Sequence, residues 1–283
     1  MSFSAAWLAL REPVDHASRA PELAAKVRVH FAGHARVRVV DLGCGTGSNL
    51  RATSALLGAE QHWTLVDYDP ALLAAARQRL TDWADAARAD ADALVLTKAG
   101  KTLTVRFVEA DLNRDLAAVL SAAPDLVTAS ALFDLISERW IAEFSRAVRE
   151  AGAAFYTVLT YDGRDAFAPS HPLDVAITAA FARHQKSDKG FGVAAGPDGA
   201  DVLARQFRAA GFAVAEGDSP WRIDPDNAAL ARDLLAGIAG AVGETGTLPA
   251  PDLAAWLAFR LAHVEGAGAL LLTGHRDTFA VVG

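Results

Sequence analysis

The chain has 283 residues, 52% hydrophobic and 22% charged, with a formal net charge of -7. This buries a sizeable core, excludes global disorder, and, with no Lys/Arg run, gives a nucleic-acid partner no electrostatic footprint. Cys44 is the only cysteine, which excludes an intrachain disulfide; with no leader-like opening and no run of about 18 apolar residues, a cytoplasmic protein without a membrane span is expected.

Taken in chain order, Pro13 suits the first turn of a helix running to about Phe31, with Leu23, Val27 and Phe31 on one face and Gly33 as its stop. Val37–Leu42 reads as a buried strand, residues 46–57 as a helix, and residues 62–67 as a second strand. Asp69-Pro70 is an N-cap and first-turn pair, opening a long helix with Leu73, Ala76, Leu80, Trp83 and Ala87 along one stripe. Strands are expected at 103–108, 125–131 and 153–160, with an amphipathic helix capped by Ser137 and closed by Gly152 between the last two. Residues 161–197 form a long excursion with one helix, Leu173–Gln185. A helix over 198–210, a strand over 211–217, helices near 228–242 and 251–265, and a strand over 277–282 complete the chain. Strands alternating with helices predict an α/β fold: a doubly wound, mostly parallel seven-stranded sheet, with helical insertions in the C-terminal half. It is read as one domain over 1–283, with an N-terminal helical cap (1–35), a core (37–160), a lid insertion (161–197) and a C-terminal part (198–283). The abundant Ala, with Arg preferred over Lys, resembles the codon bias of a GC-rich bacterium.

The stretch Asp41-Leu-Gly43-Cys-Gly45-Thr-Gly47 follows the first strand. A phosphate-cradling P-loop needs Gly-Lys-Ser/Thr at its end, and no Lys lies between Lys26 and Lys98. The dinucleotide fingerprint G-x-G-x-x-G/A fits loosely, with Ser48 at its last position. The stretch matches every fixed position of D/E-x-G-x-G-x-G, and so resembles the glycine loop of class I, Rossmann-like S-adenosylmethionine-dependent methyltransferases. Three later strand ends strengthen the resemblance. Asp67, 20 residues after Gly47, stands where an acid accepts hydrogen bonds from both ribose hydroxyls. Glu109-Ala-Asp111-Leu112 resembles the family's adenine site, with Asp111 receiving the amino group and the amide of Leu112 facing a ring nitrogen. Ser130-Ala-Leu132 lies where the family lines the methionine end.

The resemblance covers roughly residues 37–160 and 199–217. It implies S-adenosylmethionine as cofactor and S-adenosylhomocysteine as product. It places Asp41, Gly43, Gly45, Asp67, Asp111, Leu112 and Ser130 on the cofactor, with Tyr68 available to stack on adenine. An Arg of the N-terminal helix, which carries Arg11, Asp15 and Arg19, is expected to reach the methionine carboxylate, and Arg19 is the one selected. The fourth-strand loop, Ser130-Ala-Leu-Phe133-Asp134-Leu-Ile, lacks the Asn/Asp-Pro-Pro-Tyr/Phe box of enzymes that methylate adenine or glutamine, which favours a small-molecule acceptor.

Alignment of nucleophile, methyl carbon and sulfur is the main catalytic task, and a base is needed only where the acceptor begins protonated. Asp134 and His171 are the candidate bases, against the plainer readings of a surface ion pair and a turn residue. Phe133 is a candidate wall of the acceptor pocket. Lys186 and Lys189, in a chain with few Lys, are candidates to attract an acidic acceptor, against a solvated charged turn. His30 and His34 lack a third ligand, and no metal site is expected. The acceptor atom (O, N or C) and the oligomeric state stay open. So do two alternative readings: an NAD(P)-dependent oxidoreductase, and a non-catalytic S-adenosylmethionine-binding member of the same fold.

Overall fold

The alternation of strand and helix folds into a single twisted sheet with helices on both faces, as seen in a computed structural model that describes residues 3–283. Helices α1 (Ala5–Ser18) and α2 (Pro21–Phe31) precede β1 (Arg36–Leu42), α3 (Ser48–Thr53), β2 (Glu60–Asp67) and α4 (Pro70–Trp83). A hairpin, β3 (Ala86–Asp90) and β4 (Ala93–Lys98), leads into β5 (Lys101–Glu109) and α5 (Leu112–Leu120). Then come β6 (Leu126–Ser130), α6 (Glu138–Glu150), β7 (Ala154–Ala168), α7 (Asp174–Gln185) and α8 (Gly199–Ala209). The chain closes with β8 (Phe212–Asp218), β9 (Trp221–Ile223), α9 (Ala228–Thr245), α10 (Ala250–His263) and β10 (Leu270–Val282).

The strand order is β3-β4-β5-β2-β1-β6-β7-β10-β8, with β9 pairing on β10. The five central strands, β5-β2-β1-β6-β7, are parallel, and the strands outside them pair antiparallel. Seven strands are those expected from the sequence; the hairpin β3-β4 and the short β9 are additional. Alternate residues of the parallel strands feed two cores. Val37, Val39, Trp63, Leu65, Leu103 and Val105 pack with α2, α3 and α4 on one face. Val40, Leu42, Val66, Val127 and Phe155 pack with α5, α6 and α8 on the other. There Phe133, Phe144, Phe155 and Phe207 meet edge-on, tilted or stacked, with centroids 4.3–5.9 Å apart. Phe133 is fully buried in this cluster, so it is a core residue and not a pocket wall.

Four elements depart from the sequence expectation. The single helix over 13–31 is two helices. Pro21 holds Ala20 in an extended conformation (φ -63°, ψ 110°), as a proline does to the residue before it, and itself occupies the first turn of α2. Pro13 lies inside α1, whose buried face outweighs the lost bond. The stripe read through Ala87 stops at Trp83, because the Ala-rich segment beyond it pairs with β4 at the sheet edge. Residues 46–57 form the short α3 followed by a 3₁₀ turn over Ser54–Leu56. Finally, β7 runs on to Ala168 because β10 extends back to Leu270 and pairs along it, which shortens the excursion expected over 161–197.

One buried carboxylate fastens the N-terminal helices to this sheet. Asp277 of β10 is fully buried; its Oδ2 accepts the Ala20 amide, at the junction of α1 and α2, at 2.9 Å. Its Oδ1 accepts the Leu159 amide at 2.9 Å, where β7 bulges with φ 59°. Leaving a buried N–H unpaired costs about 1–3 kcal/mol. Asp277→Ala is therefore expected to lose about 2–5 kcal/mol in urea denaturation, and Asp277→Asn, which keeps one acceptor oxygen, about half of that. A loss below about 1 kcal/mol for the alanine variant would show that these bonds do not anchor the helices.

Candidate functional site

Strand β1 lies between β2 and β6, so the chain leaves its carboxyl end toward one side and returns on the other. A crevice opens at such a reversal, and the glycine loop crosses it here. Gly43, Gly45 and Gly47 have φ of 61°, 52° and 75°, and Gly47 caps α3 in the left-handed region where any side chain would be strained. The loop is tied to β2 by the Cys44 amide, which donates to the Val66 carbonyl at 2.9 Å. Cys44 is buried, a small residue filling a tight loop.

Asp67 ends β2 directly beneath the loop and is 6% exposed. Its Oδ2 accepts the Gly45 amide at 2.9 Å and its Oδ1 the Asp69 amide at 3.0 Å. A carboxylate offers about four lone-pair sites, so capacity remains for ligand hydroxyls. Burial raises its pKa, while the amides of Asp69 and Gly45 pull it down. Asp69 caps α4 through the Ala71 amide, as the sequence indicated.

Asp111 caps α5, its Oδ1 accepting the Asn113 amide at 3.0 Å, and pairs with Arg114 at 3.1 Å. The cap role and the candidate site role fall on one residue, since Asp111 also faces the crevice. Leu112 opens the helix, where N–H groups have no intrahelical acceptor. Beyond β6, Ala131 has φ 51°, an uncommon conformation for a residue with a side chain, and Leu132 packs over Gly43.

These pieces line one cavity of about 520 Å³, within the range of small-ligand sites. Gly43, Gly45, Asp67, Tyr68, Asp111, Leu112 and Ser130 all border it, with Tyr68 half exposed at the rim. Four other expected residues do not. Asp41 and Arg19 lie one layer below, in a buried network centred on Asn49. Asn49 donates to Asp41 Oδ1 at 2.7 Å and to Thr128 Oγ1 at 3.0 Å, and accepts from Arg19 at 3.0 Å. Burial pushes Asp41 up to about 7, against the Asn49 hydrogen bond and the Arg19 charge. His171 sits in the turn before α7, where its Nδ1 accepts the Leu173 amide at 3.2 Å and its ring packs on Phe259. It is a turn residue, away from the cavity.

Asp134 is buried beside the cavity and not in a surface ion pair. Burial pushes it up to about 6, while neighbouring backbone amides and the charges of Arg11 and Lys189 act in the opposite direction.

Three segments supply lining residues that the sequence reading missed or did not select for the cofactor: α3, α1 and the turn after α7. Asn49 reaches the cavity from the first turn of α3; an amide eight residues after Asp41 on a helix that folds back over β1 is the signal that pointed to it. Arg11 and Asp15, not Arg19, line the wall contributed by α1. Arg11 holds Asp15 at 2.8 and 3.1 Å and lies 4.8 Å over the Trp221 ring, whose Nε1 also donates to Asp15 at 2.9 Å. Helix α1 is strapped over the loop by Glu12–Arg51 at 2.6 Å and by His16 against Ser48 at 2.9 Å. Leu8 presses so close to Gly45 that a Cβ there would meet it at 3.0 Å. Lys189, Gly190 and Phe191, from the segment after α7, complete the opposite wall, while Lys186 pairs with Asp198 at 2.7 Å on the exposed surface.

The donor set suits S-adenosylmethionine. The cavity-lining Thr46 hydroxyl is buried with no partner among the described residues, Asp67 retains acceptor capacity, and Leu112 and Leu132 supply apolar walls. No described helix is long and apolar enough to cross a membrane.

Residues 39–152 match the sequence model of a methyltransferase domain. No curated protein matches the chain. Among solved structures, it resembles a cyclopropane-fatty-acyl-phospholipid synthase-like protein from Lactobacillus casei ATCC 334, at 16% identity, with 95% of this chain and 99% of that one covered and a TM-score of 0.50. It also resembles the YcgJ protein of the genus Bacillus, at 15% identity over 93% and 99% of the two chains, with a TM-score of 0.49. A mycolic acid cyclopropane synthase complexed with SAH is similar at 12% identity over 90% and 83%, with a TM-score of 0.45. The matched domain carries the glycine loop, Asp67, Asp111 and Ser130, and it is a class I S-adenosylmethionine-dependent methyltransferase domain, with S-adenosylmethionine as cofactor.

Proposed function

We propose that this enzyme methylates a small molecule that enters the cavity between α1 and the Lys189–Phe191 segment. One observation carries this reading: a single cavity runs from Asp67 and Asp111, past the glycine loop, to Ser130–Leu132, Leu135 and Phe191, and α1 forms one of its walls. A cavity of about 520 Å³ bordered in this way has room for a cofactor and a compact acceptor.

The cofactor supplies an electrophilic methyl group on a sulfonium that departs as a neutral thioether. The chain's residues bind and orient. Asp67 accepts from the ribose hydroxyls with its remaining lone pairs, held in place by the Gly45 and Asp69 amides. Asp111 and the amide of Leu112 hold adenine, with Tyr68 at its edge. Asn49, itself set by Asp41 and Arg19, presents a polar surface at the methionine end together with Thr46 and Ser130. Arg11 takes the part expected of Arg19 and faces the methionine carboxylate from α1. Asp134, next to the lining residue Leu135 but not itself on the cavity surface, is the candidate base for the acceptor's proton. Burial lifts it to about 6, so it is ionised at neutral pH yet close to the matched range of a general base.

Calorimetric titration with S-adenosylhomocysteine is expected to show saturable binding that Asp67→Ala weakens tenfold or more, about 1.4 kcal/mol, with no binding of NAD. Tight NAD binding, or an unchanged Asp67→Ala affinity, would remove this assignment.

Asp134 can be tested without knowing the acceptor. A carboxyl raised from 3.8 to about 6 in the folded state favours folding fully below pH 3.8 and loses that contribution as pH rises through 6. Stability is therefore expected to fall by about 3 kcal/mol more in the wild type than in Asp134→Asn between pH 3.8 and pH 7. Parallel stability curves for the two proteins would mean that this carboxyl titrates normally and is not poised as a base.

A further inference from the structure

We infer that the acceptor carries an anionic group, a carboxylate or a phosphate, that seats on the Lys189 ammonium. The inference rests on the methyltransferase reading above and names the acceptor class for that site.

Three cationic side chains line the cavity: Arg11, Arg114 and Lys189. Arg11 is held by both oxygens of Asp15, and Arg114 by Asp111. Lys189 has no ion pair or side-chain hydrogen bond among the described residues. The acids whose fields reach it, Glu244 and Asp134, both lie beyond ion-pairing distance. It is also partly buried, so burial lowers its pKa and leaves its charge incompletely hydrated.

The ammonium is presented by a built turn. Asp188 Oδ1 accepts the amides of Gly190 at 2.7 Å and Gly192 at 3.1 Å, and Asn113 of α5 donates to the Gly190 carbonyl at 2.9 Å. Strand-like bridges join Asp188 to Val193 and Ser137 to Ala194, and Phe191 meets Trp140 edge-on at 5.6 Å. Lys186, three residues earlier, is neutralised by Asp198 on the outside, so only Lys189 brings unmatched positive charge to the cavity. Asn113 stands beside the turn, and Leu132, Leu135 and Phe191 give the cavity apolar surface. The complement is a compact acid with an apolar body: the anion meets Lys189 and the body lies on these side chains.

The test uses the full-length protein saturated with S-adenosylhomocysteine, titrated calorimetrically with benzoate, inorganic phosphate and, as a neutral control, benzamide. Wild type is expected to bind one of the two anions saturably and benzamide at least tenfold more weakly, and the anion that binds identifies the group. Lys189→Met is expected to weaken that anion tenfold or more and to change S-adenosylhomocysteine affinity less than threefold, while Lys189→Arg restores most of the binding. The inference is overturned if neither anion binds the wild-type complex, or if Lys189→Met binds the anion as wild type does. It is equally overturned if Lys189→Met loses S-adenosylhomocysteine affinity tenfold, which would give the ammonium to the cofactor's own carboxylate. Absence of S-adenosylhomocysteine binding in the wild type is a separate result, and it would overturn the functional reading on which this one stands.

Discussion

The reversal of strand order at β1 is the constraint on which the rest of this molecule depends. Because β2 and β6 flank β1, the crossovers after β1 and after β5 diverge to opposite sides, and the carboxyl ends of the strands face an opening that no crossover helix covers. Every loop that brings chemistry to the site follows from that geometry: the glycine loop after β1, Asp67 after β2, Asp111 after β5, and Ser130–Leu132 after β6. The parallel ladder forces those four strands to end together, so residues far apart in sequence arrive at one cavity.

An opening of this kind needs a cover, and the chain builds one from both of its halves. Helix α1 arrives from the N-terminal side and the Lys189–Phe191 turn from beyond β7. Asp277 in β10 holds the α1–α2 junction, and Trp221 of β9 holds Asp15, so the cover depends on strands at the far edge of the sheet. The antiparallel strands β8, β9 and β10 thus have a consequence beyond closing the sheet: they fix the wall that faces the glycine loop.

The electrostatics of the site are those of carboxyls kept from water. Asp41, Asp67 and Asp134 are all buried at or beneath one cavity, and burial raises the pKa of each. Such groups cost stability unless bonded, and they are bonded unevenly: Asp67 by two amides, Asp41 through one oxygen by Asn49. A cluster of perturbed acids within a crevice is a mark of function in itself, and here it coincides with the family's motif.

Much of this was legible in the sequence, for a local reason. The glycines at 43, 45 and 47, the acids at 67 and 111, the caps at Asp69 and Ser137 and the strand–helix alternation depend on backbone conformation and on neighbours a few residues away. Those features by themselves determined the order of the parallel strands' contents and the class of cofactor loop. What only the tertiary structure decided lies in contacts between distant segments. It chose Arg11 over Arg19, because helix phase and the break at Ala20-Pro21 turn one toward the cavity and the other into the Asn49 network. It sent Phe133 into an aromatic core and His171 into a turn beside Phe259, since neither burial nor distance to a cavity is encoded in a residue's own type. And it brought Lys189, 122 residues beyond Asp67, onto the same wall as Leu135 and Phe191, through turn and bridge contacts that no periodicity in the chain announces.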